Sequence, residues 1–314
     1  MAQLKRLGEQ GFSQEALPAV RKALGSRVSL LVAKAAQVAG QWEAKPLVEA
    51  MEQAFGRFMV RPALTDKGCQ AKLALAEALY RIGSDSEAVF LAGVRHVQME
   101  PCYGGPVDTA PRLRGTCGLG LVRMNHPEAM NELARLLADR QEDARIMAAR
   151  AVAYSGNPSG EPLLRYKAHV GDAEVQVLAE CLLALLRLAG ERVLGFVAAD
   201  LEGKDEGRFE AAAIALGESH LAGAAEPLRA ACVKAVDAQA RGVLLLALAS
   251  LRSEQAVEFL LGVLADSDGE KAQTVLGALA TLRFDPAVRQ RVAELVDRKH
   301  SRELSRAFNS SFDA

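Results

Sequence analysis

Residues 143–173 read DARIMAARAVAYSGNPSGEPLLRYKAHVGDA, and their pattern decides the fold. Asp143 has the side chain of a helix N-cap, and Ile146, Met147, Ala148, Ala151 and Val152 recur at helical spacing on one apolar face. Ser155-Gly156-Asn157-Pro158 closes that helix, because glycine accepts a left-handed cap and proline cannot extend the hydrogen-bond ladder. A second helix is predicted from Gly160, with Pro162 tolerated in its first turn and Leu163, Leu164 and Tyr166 on its buried side. The stretch is one helical hairpin, and its length sets the repeat.

The small or apolar pair at its centre, Ala151-Val152, has equivalents along most of the chain: Ala35-Ala36, Ala78-Leu79, Gly120-Leu121, Leu182-Leu183, Ala215-Leu216, Ala247-Leu248 and Ala278-Leu279. From Gly120 onward the pairs open at positions 120, 151, 182, 215, 247 and 278, a nearly constant step. A regular period of roughly 30 residues predicts stacked repeats in place of a single core. Prolines keep the same phase. Pro46 stands to Ala35 as Pro162 does to Ala151, and Pro127 stands to Gly120 as Pro158 does to Ala151, in turns or first helical turns. The expected organisation is a capping helix within residues 1–25 (Gln14 to Leu24), repeats over 26–300, and a polar, frayed tail at 301–314. The repeats divide as 26–66, 67–110, 111–142, 143–173, 174–206, 207–238, 239–270 and 271–300.

Composition agrees with helices. Aromatics are only 5% of the chain while the apolar fraction is 50%, carried mostly by Ala and Leu, which suits close helix packing better than a sheet. The net charge of −1 is spread evenly and argues against a nucleic-acid or membrane surface as partner. After Lys5 and Arg6 the polar run Gly8-Glu9-Gln10-Gly11 stands where a signal peptide needs an apolar core. No apolar run approaches the roughly 18 residues of a spanning helix. Five widely spaced cysteines without a CxxC fit reduced thiols and a cytoplasmic setting.

Segments 143–156 and Glu210-Ala-Ala-Ala-Ile-Ala-Leu-Gly-Glu218 resemble HEAT repeats of the kind common in bacterial HEAT-like proteins. The resemblance covers nearly the whole chain and implies an all-α fold: a right-handed α-solenoid of about eight helical hairpins whose second helices line a concave face. Its motif is a packing signature. Armadillo repeats need a third helix, for which so short a period leaves little room.

The period breaks twice. The step from Ala78 to Gly120 is longer than those after it, and the surplus falls at Gln98–Pro111, an insertion reading QMEPCYGGPVDTAP. Insertions in repeat arrays map to one face and carry specific contacts. Glu100, Cys102, Tyr103 and Asp108, flanked by His96, Arg112 and Arg114, are candidate binding residues there. Gly115, Gly118 and Gly120 follow inside two helical turns, each costing ~1 kcal/mol relative to alanine. The expectation is that the folded-back insertion packs against that backbone. The step from Ala35 to Ala78 is long as well, with Phe55-Gly56-Arg57-Phe58-Met59 and Arg61-Pro62-Ala63-Leu64 read as a lengthened second helix and its exit.

No reactive constellation stands out. His96, Cys102, Cys117 and His126 are all spaced too widely for the close ligand pairs of a zinc site, so no metal is expected. HEAT-like proteins that bind iron for hydroxylation carry repeated His-Glu dipeptides, which this sequence lacks. Gly104-Gly105 ahead of Asp108 or Thr109, Arg112 and Arg114 could hold an anion, but no phosphate-loop motif accompanies them. Cys102 or Cys117 with His96 or His126 is the one nucleophile–base pairing on offer. Cys181 and Cys232 read as core. Asp139 and Arg145 are expected to pair between adjacent turns.

The reading is therefore a non-enzymatic scaffold that binds another protein, with no cofactor. Its surface would be the polar positions of the second helices (Asn131, Glu132 and Arg135, then Arg165 and Lys167, then Arg229) together with the 98–111 insertion. A small molecule at the insertion is the second kind of ligand considered. Two alternatives share the repeat-level resemblance: an enzyme or chromophore binder of the bilin lyase/isomerase kind, and a nucleic-acid-binding HEAT-like protein.

Overall fold

A computed structural model describes residues 2–312. Among the described residues the fold is all-α except for one short two-stranded ribbon. The chain divides into two compact units, Met1–Gly160 and Glu161–Ala314.

In the first unit, α1 (Ala2–Gln10) and α2 (Leu17–Leu24) occupy the segment where the sequence predicts a single capping helix. Then come α3 (Ser29–Gln41), α4 (Val48–Phe58), the short α5 (Pro62–Thr65), α6 (Gln70–Ile82) and α7 (Glu87–Val94). Strands β1 (Met99–Glu100) and β2 (Val107–Asp108) pair antiparallel, with Met99 opposite Asp108 and Glu100 opposite Val107. Helices α8 (Pro111–Arg123), α9 (Ala129–Leu137) and α10 (Glu142–Ser155) complete the unit. The helices carrying the small-residue pairs pack in file, α3 on α6, α6 on α8 and α8 on α10. The helices that alternate with them make a second row, α2 beside α4 and α4 beside α7.

The second unit repeats this plan. Its helices are α11 (Gly160–Val170), α12 (Val175–Ala189), α13 (Leu194–Ala198), α14 (Glu206–Glu218), α15 (Ala225–Lys234), α16 (Ala238–Leu251), α17 (Glu254–Asp266), α18 (Gly269–Leu279), α19 (Pro286–Arg298) and α20 (Arg302–Phe312). Here α12 packs on α14, α14 on α16 and α16 on α18, while α15 lies against α17 and α17 against α19. Hydrogen bonds between neighbouring turns keep the period. Arg192 donates to Glu161 at 3.0 Å across 31 residues, and the Gly223 N–H to Glu191 at 3.1 Å across 32. Lys234 donates to Glu202 at 3.2 Å across 32 residues, and Arg291 to Glu258 at 2.7 Å across 33. Exposed pairs of this kind add little stability, so their recurrence records how equivalent positions are superposed.

Local chemistry explains the helix ends. Gly156 adopts φ 60° and caps α10, as the sequence predicts, but α10 starts at Glu142, which puts Asp143 in the first turn. Asp205, Asp237, Ser253 and Asp285 are side-chain N-caps. In α11 the buried stripe is Gly160, Leu164 and Ala168 at i, i+4 spacing, and Tyr166 is exposed.

Three expectations are corrected. The α8 glycines do not receive the insertion. A Cβ at Gly115 would meet Met147 of α10 at 2.5 Å, at Gly118 Leu133 of α9 at 3.0 Å, and at Gly120 Phe90 of α7 at 2.5 Å. Helical rotation of about 100° per residue points the three toward three neighbouring helices. The surplus after Ala35 does not lengthen the second helix, since α4 ends at Phe58. The left-handed Arg61 then opens α5 and a loop through Cys69. The tail is not frayed over its described part: α20 packs on α18 and α19 and buries Leu304 and Phe312.

Candidate functional site

The insertion is built from its polar residues inward. Gln98 and Asp108 are buried at the base of the ribbon, where the Thr109 N–H donates to the Gln98 carbonyl at 2.9 Å. One Asp108 carboxylate oxygen accepts from the backbone N–H of Gln98 at 3.1 Å and of Ala110 at 3.0 Å. The other lies 2.8 Å from the Arg114 guanidinium. Arg114 is itself buried, donates to the His96 carbonyl at 2.9 Å, and grips Asp139 through two parallel bonds of 2.8 and 2.9 Å. A buried arginine in such a fork is held by two carboxylates and a carbonyl at once, the arrangement its planar head favours.

Glu100 ties the ribbon to the preceding loop. Its carboxylate accepts from the Gly68 N–H at 2.7 Å, the Gln98 amide at 2.6 Å and the Thr109 hydroxyl at 2.9 Å. Burial opposes ionisation of Glu100, but these three donors outweigh it and hold the carboxyl below its ordinary range. Gln98 also donates to the Asp66 carbonyl at 2.8 Å. Asp66 and Lys72 form a fully buried ion pair at 2.9 Å. The Asp66 carboxylate further accepts from the N–H groups of Ala71 and Lys72, capping α6 from a loop turned around it by the left-handed Gly68 and Cys69.

The structure therefore brings His96, Glu100, Asp108 and Arg114 together, but as the inner framework of the ribbon. His96 is half-buried and shares a 3.2 Å hydrogen bond with Gln98. Burial lowers its pKa, and the nearby Lys72 and Arg114 charges act the same way. Arg112 is exposed and lies 3.8 Å from Glu77. Cys102 and Tyr103 stand exposed at the tip, Tyr103 fully in solvent. There Gly104 and Gly105 (φ 99° and 127°) make a turn that side chains would strain, closed by the Gly105 N–H to the Cys102 carbonyl at 3.1 Å. With Val97, Met99 and Val107 also exposed, the outer surface of the ribbon is apolar, and Glu100 is the sole charge between residues 97 and 107.

The second-helix positions are spread over both units. In the first, Glu132 is buried in α9, where it pairs with Arg95 and, at 3.0 Å, with Arg135; Asn131 donates to Glu128. In the second, Arg165 pairs with Glu161 at 2.9 Å and lies 4.8 Å over the Phe196 ring, Lys167 pairs with Asp172, and Arg229 lies 5.4 Å over Phe259. Asp139 bonds Arg145 through its backbone carbonyl at 2.9 Å, while its carboxylate serves Arg114.

Among the described residues no group of three His, Cys, Asp or Glu side chains is placed to hold a metal. Cys117 is buried beside Gly93, where a Cβ would fall 2.3 Å from its sulfur, and burial pushes its thiol pKa up. Burial likewise pushes Cys69 up to about 12. Neither is a ready thiolate. No described helix is long and apolar enough to cross a membrane.

No family model matches the chain, and no curated protein does. Among solved structures it is similar to human deoxyhypusine hydroxylase in complex with glycerol, at 19% identity over 91% of this chain and 97% of that one, with a TM-score of 0.32.

Sequence reasoning passed over Asp66 and Lys72, and it paired Asp139 with Arg145 without seeing that the Asp139 carboxylate holds Arg114. A signal for Lys72 existed: it falls on the apolar stripe of α6, midway between Cys69 and Leu75. A cation there requires a buried partner.

Proposed function

We propose that this chain is a non-enzymatic docking platform for another protein, built as a right-handed α-solenoid of about eight HEAT-like hairpins. The working surface is the second-helix row together with the 98–111 ribbon. One observation carries the reading: Gln98, Glu100, Asp108 and Thr109 of the insertion are spent on internal bonds, while the side chains left outside are the apolar Val97, Met99, Tyr103 and Val107, with Cys102 as a lone thiol that has no base or second ligand bonded to it among the described residues. An ordered apolar finger without exposed charge suits a protein surface better than a phosphate or a metal. The second-helix rows of the two units would support extended recognition through many modest contacts.

The test is affinity capture from native lysate with the triple variant Met99→Ser, Tyr103→Ser, Val107→Ser, and separately with Arg135→Gln plus Arg165→Gln. Both sets alter exposed or half-exposed side chains and leave Asp108, Arg114 and Glu100 in place. Loss of the same captured protein in either variant, with an unchanged circular dichroism spectrum, is the expected result. Undiminished capture by both would reject the platform.

A further inference from the structure

The first unit carries a groove of about 690 Å³ between α4 and α7, two neighbours in the second-helix row. Its floor and walls are Phe55, Met59, Val89 and Leu91, with Gly56 and Ala92 leaving the space between the helices unfilled. A Cβ built on Gly56 would meet nothing within 4 Å. Every charged residue lining the groove is acidic: Glu52, Asp85 and Glu87. Glu52 is fixed by a 2.5 Å hydrogen bond from Ser86, and Glu87 leans toward His126 at 3.2 Å. The cation on the next residue of α4, Arg57, is turned away to the Leu24 carbonyl and neutralises none of them.

We propose that this groove takes an amphipathic helix of a partner protein, with an apolar anchor side chain on the floor and a lysine or arginine at the acidic rim. Two observations select that occupant. An apolar floor with one-signed charge at its edge favours a ligand of opposite charge and disfavours an acidic one. The walls, of 11 and 8 residues, extend about 12–16 Å at 1.5 Å per residue, which matches two to three turns of a docked helix. The proposal rests on the docking-platform reading and names the chemistry that one part of that surface recognises.

Gly56 offers a clean test, because it lies inside α4 with ordinary helical backbone and open space around it. Gly56→Leu fills the groove while favouring the helix. A displayed library of random peptides, each long enough for four helical turns, is selected on the intact chain. The recovered peptides are then measured by fluorescence anisotropy on wild type, Gly56→Leu and Asp85→Lys. The expected result is recovery of sequences with Lys or Arg beside Leu, Phe or Met. Binding should weaken at least tenfold in Gly56→Leu and at least threefold in Asp85→Lys. Recovery of acidic or charge-neutral sequences, or equal binding to all three proteins, would overturn the groove. Lysate capture separates the two levels: a partner kept by Gly56→Leu but lost on shaving the ribbon removes the groove and leaves the platform, whereas a partner kept by every variant removes both.

Discussion

Lys72 and Asp66 make the strongest single-residue statement in the molecule. Both side chains are fully buried, and Asp66 also caps α6. Removing one partner of such a pair leaves an uncompensated buried charge, which costs about 3–5 kcal/mol. Lys72→Met is therefore expected to lower the unfolding free energy from urea titration by that much; a change under about 1 kcal/mol would show that the pair is not desolvated. His96 gives a pH signature. Its folded pKa lies below the free histidine value, so the unfolded chain binds the extra proton more readily. Stability is therefore retained above about pH 6.5 and falls as the pH drops below it. Wild type should lose more thermal stability than His96→Gln between pH 7.5 and 5.5, and parallel curves would count against the assignment. Glu100 titrates lower, so its contribution is lost only further into acid. The sequence marked His96, Glu100, Asp108 and Arg114 as a cluster. It could not say which way they face, because an irregular insertion has no periodicity from which to read inside and outside.

Two kinds of helical glycine test the packing of the elements. Gly120 presses on Phe90 of α7, so Gly120→Ala overpacks the α7–α8 contact and should cost about 1–3 kcal/mol despite alanine's better helix propensity. Gly277, inside α18, has open space and helical backbone, so Gly277→Ala should instead stabilise by about 0.5–1 kcal/mol. The same sign for both substitutions would contradict the contacts. Repeat helices were legible because the Ala/Leu pairs and prolines hold a fixed phase. Three elements escaped that logic. The ribbon β1–β2 spans two residues per strand, too few for alternation to register. The partners of the α8 glycines, such as Met147 opposite Gly115, lie on other helices, out of reach of local reasoning. In α20 the apolar residues are few and the surrounding sequence polar, yet Leu304 and Phe312 recur at a spacing that meets α18 and α19.

Each compact unit buries its apolar residues between successive helices, and among the described residues α20 rests on α18 and α19. Removing residues 301–314 would strip α20 and expose the faces that cover Leu304 and Phe312. At about 1.5–3 kcal/mol per buried side chain, the truncated protein should unfold at a clearly lower temperature and bind a hydrophobic dye. An unchanged transition would show that α20 is ornamental. The ribbon has a practical corollary. Four of the five thiols (Cys69, Cys117, Cys181 and Cys232) are sealed inside, and Cys102 alone lies open at the fingertip. A maleimide fluorophore added to native protein would thus couple at one position without mutagenesis. Its brightness would report in real time when another molecule closes over the tip.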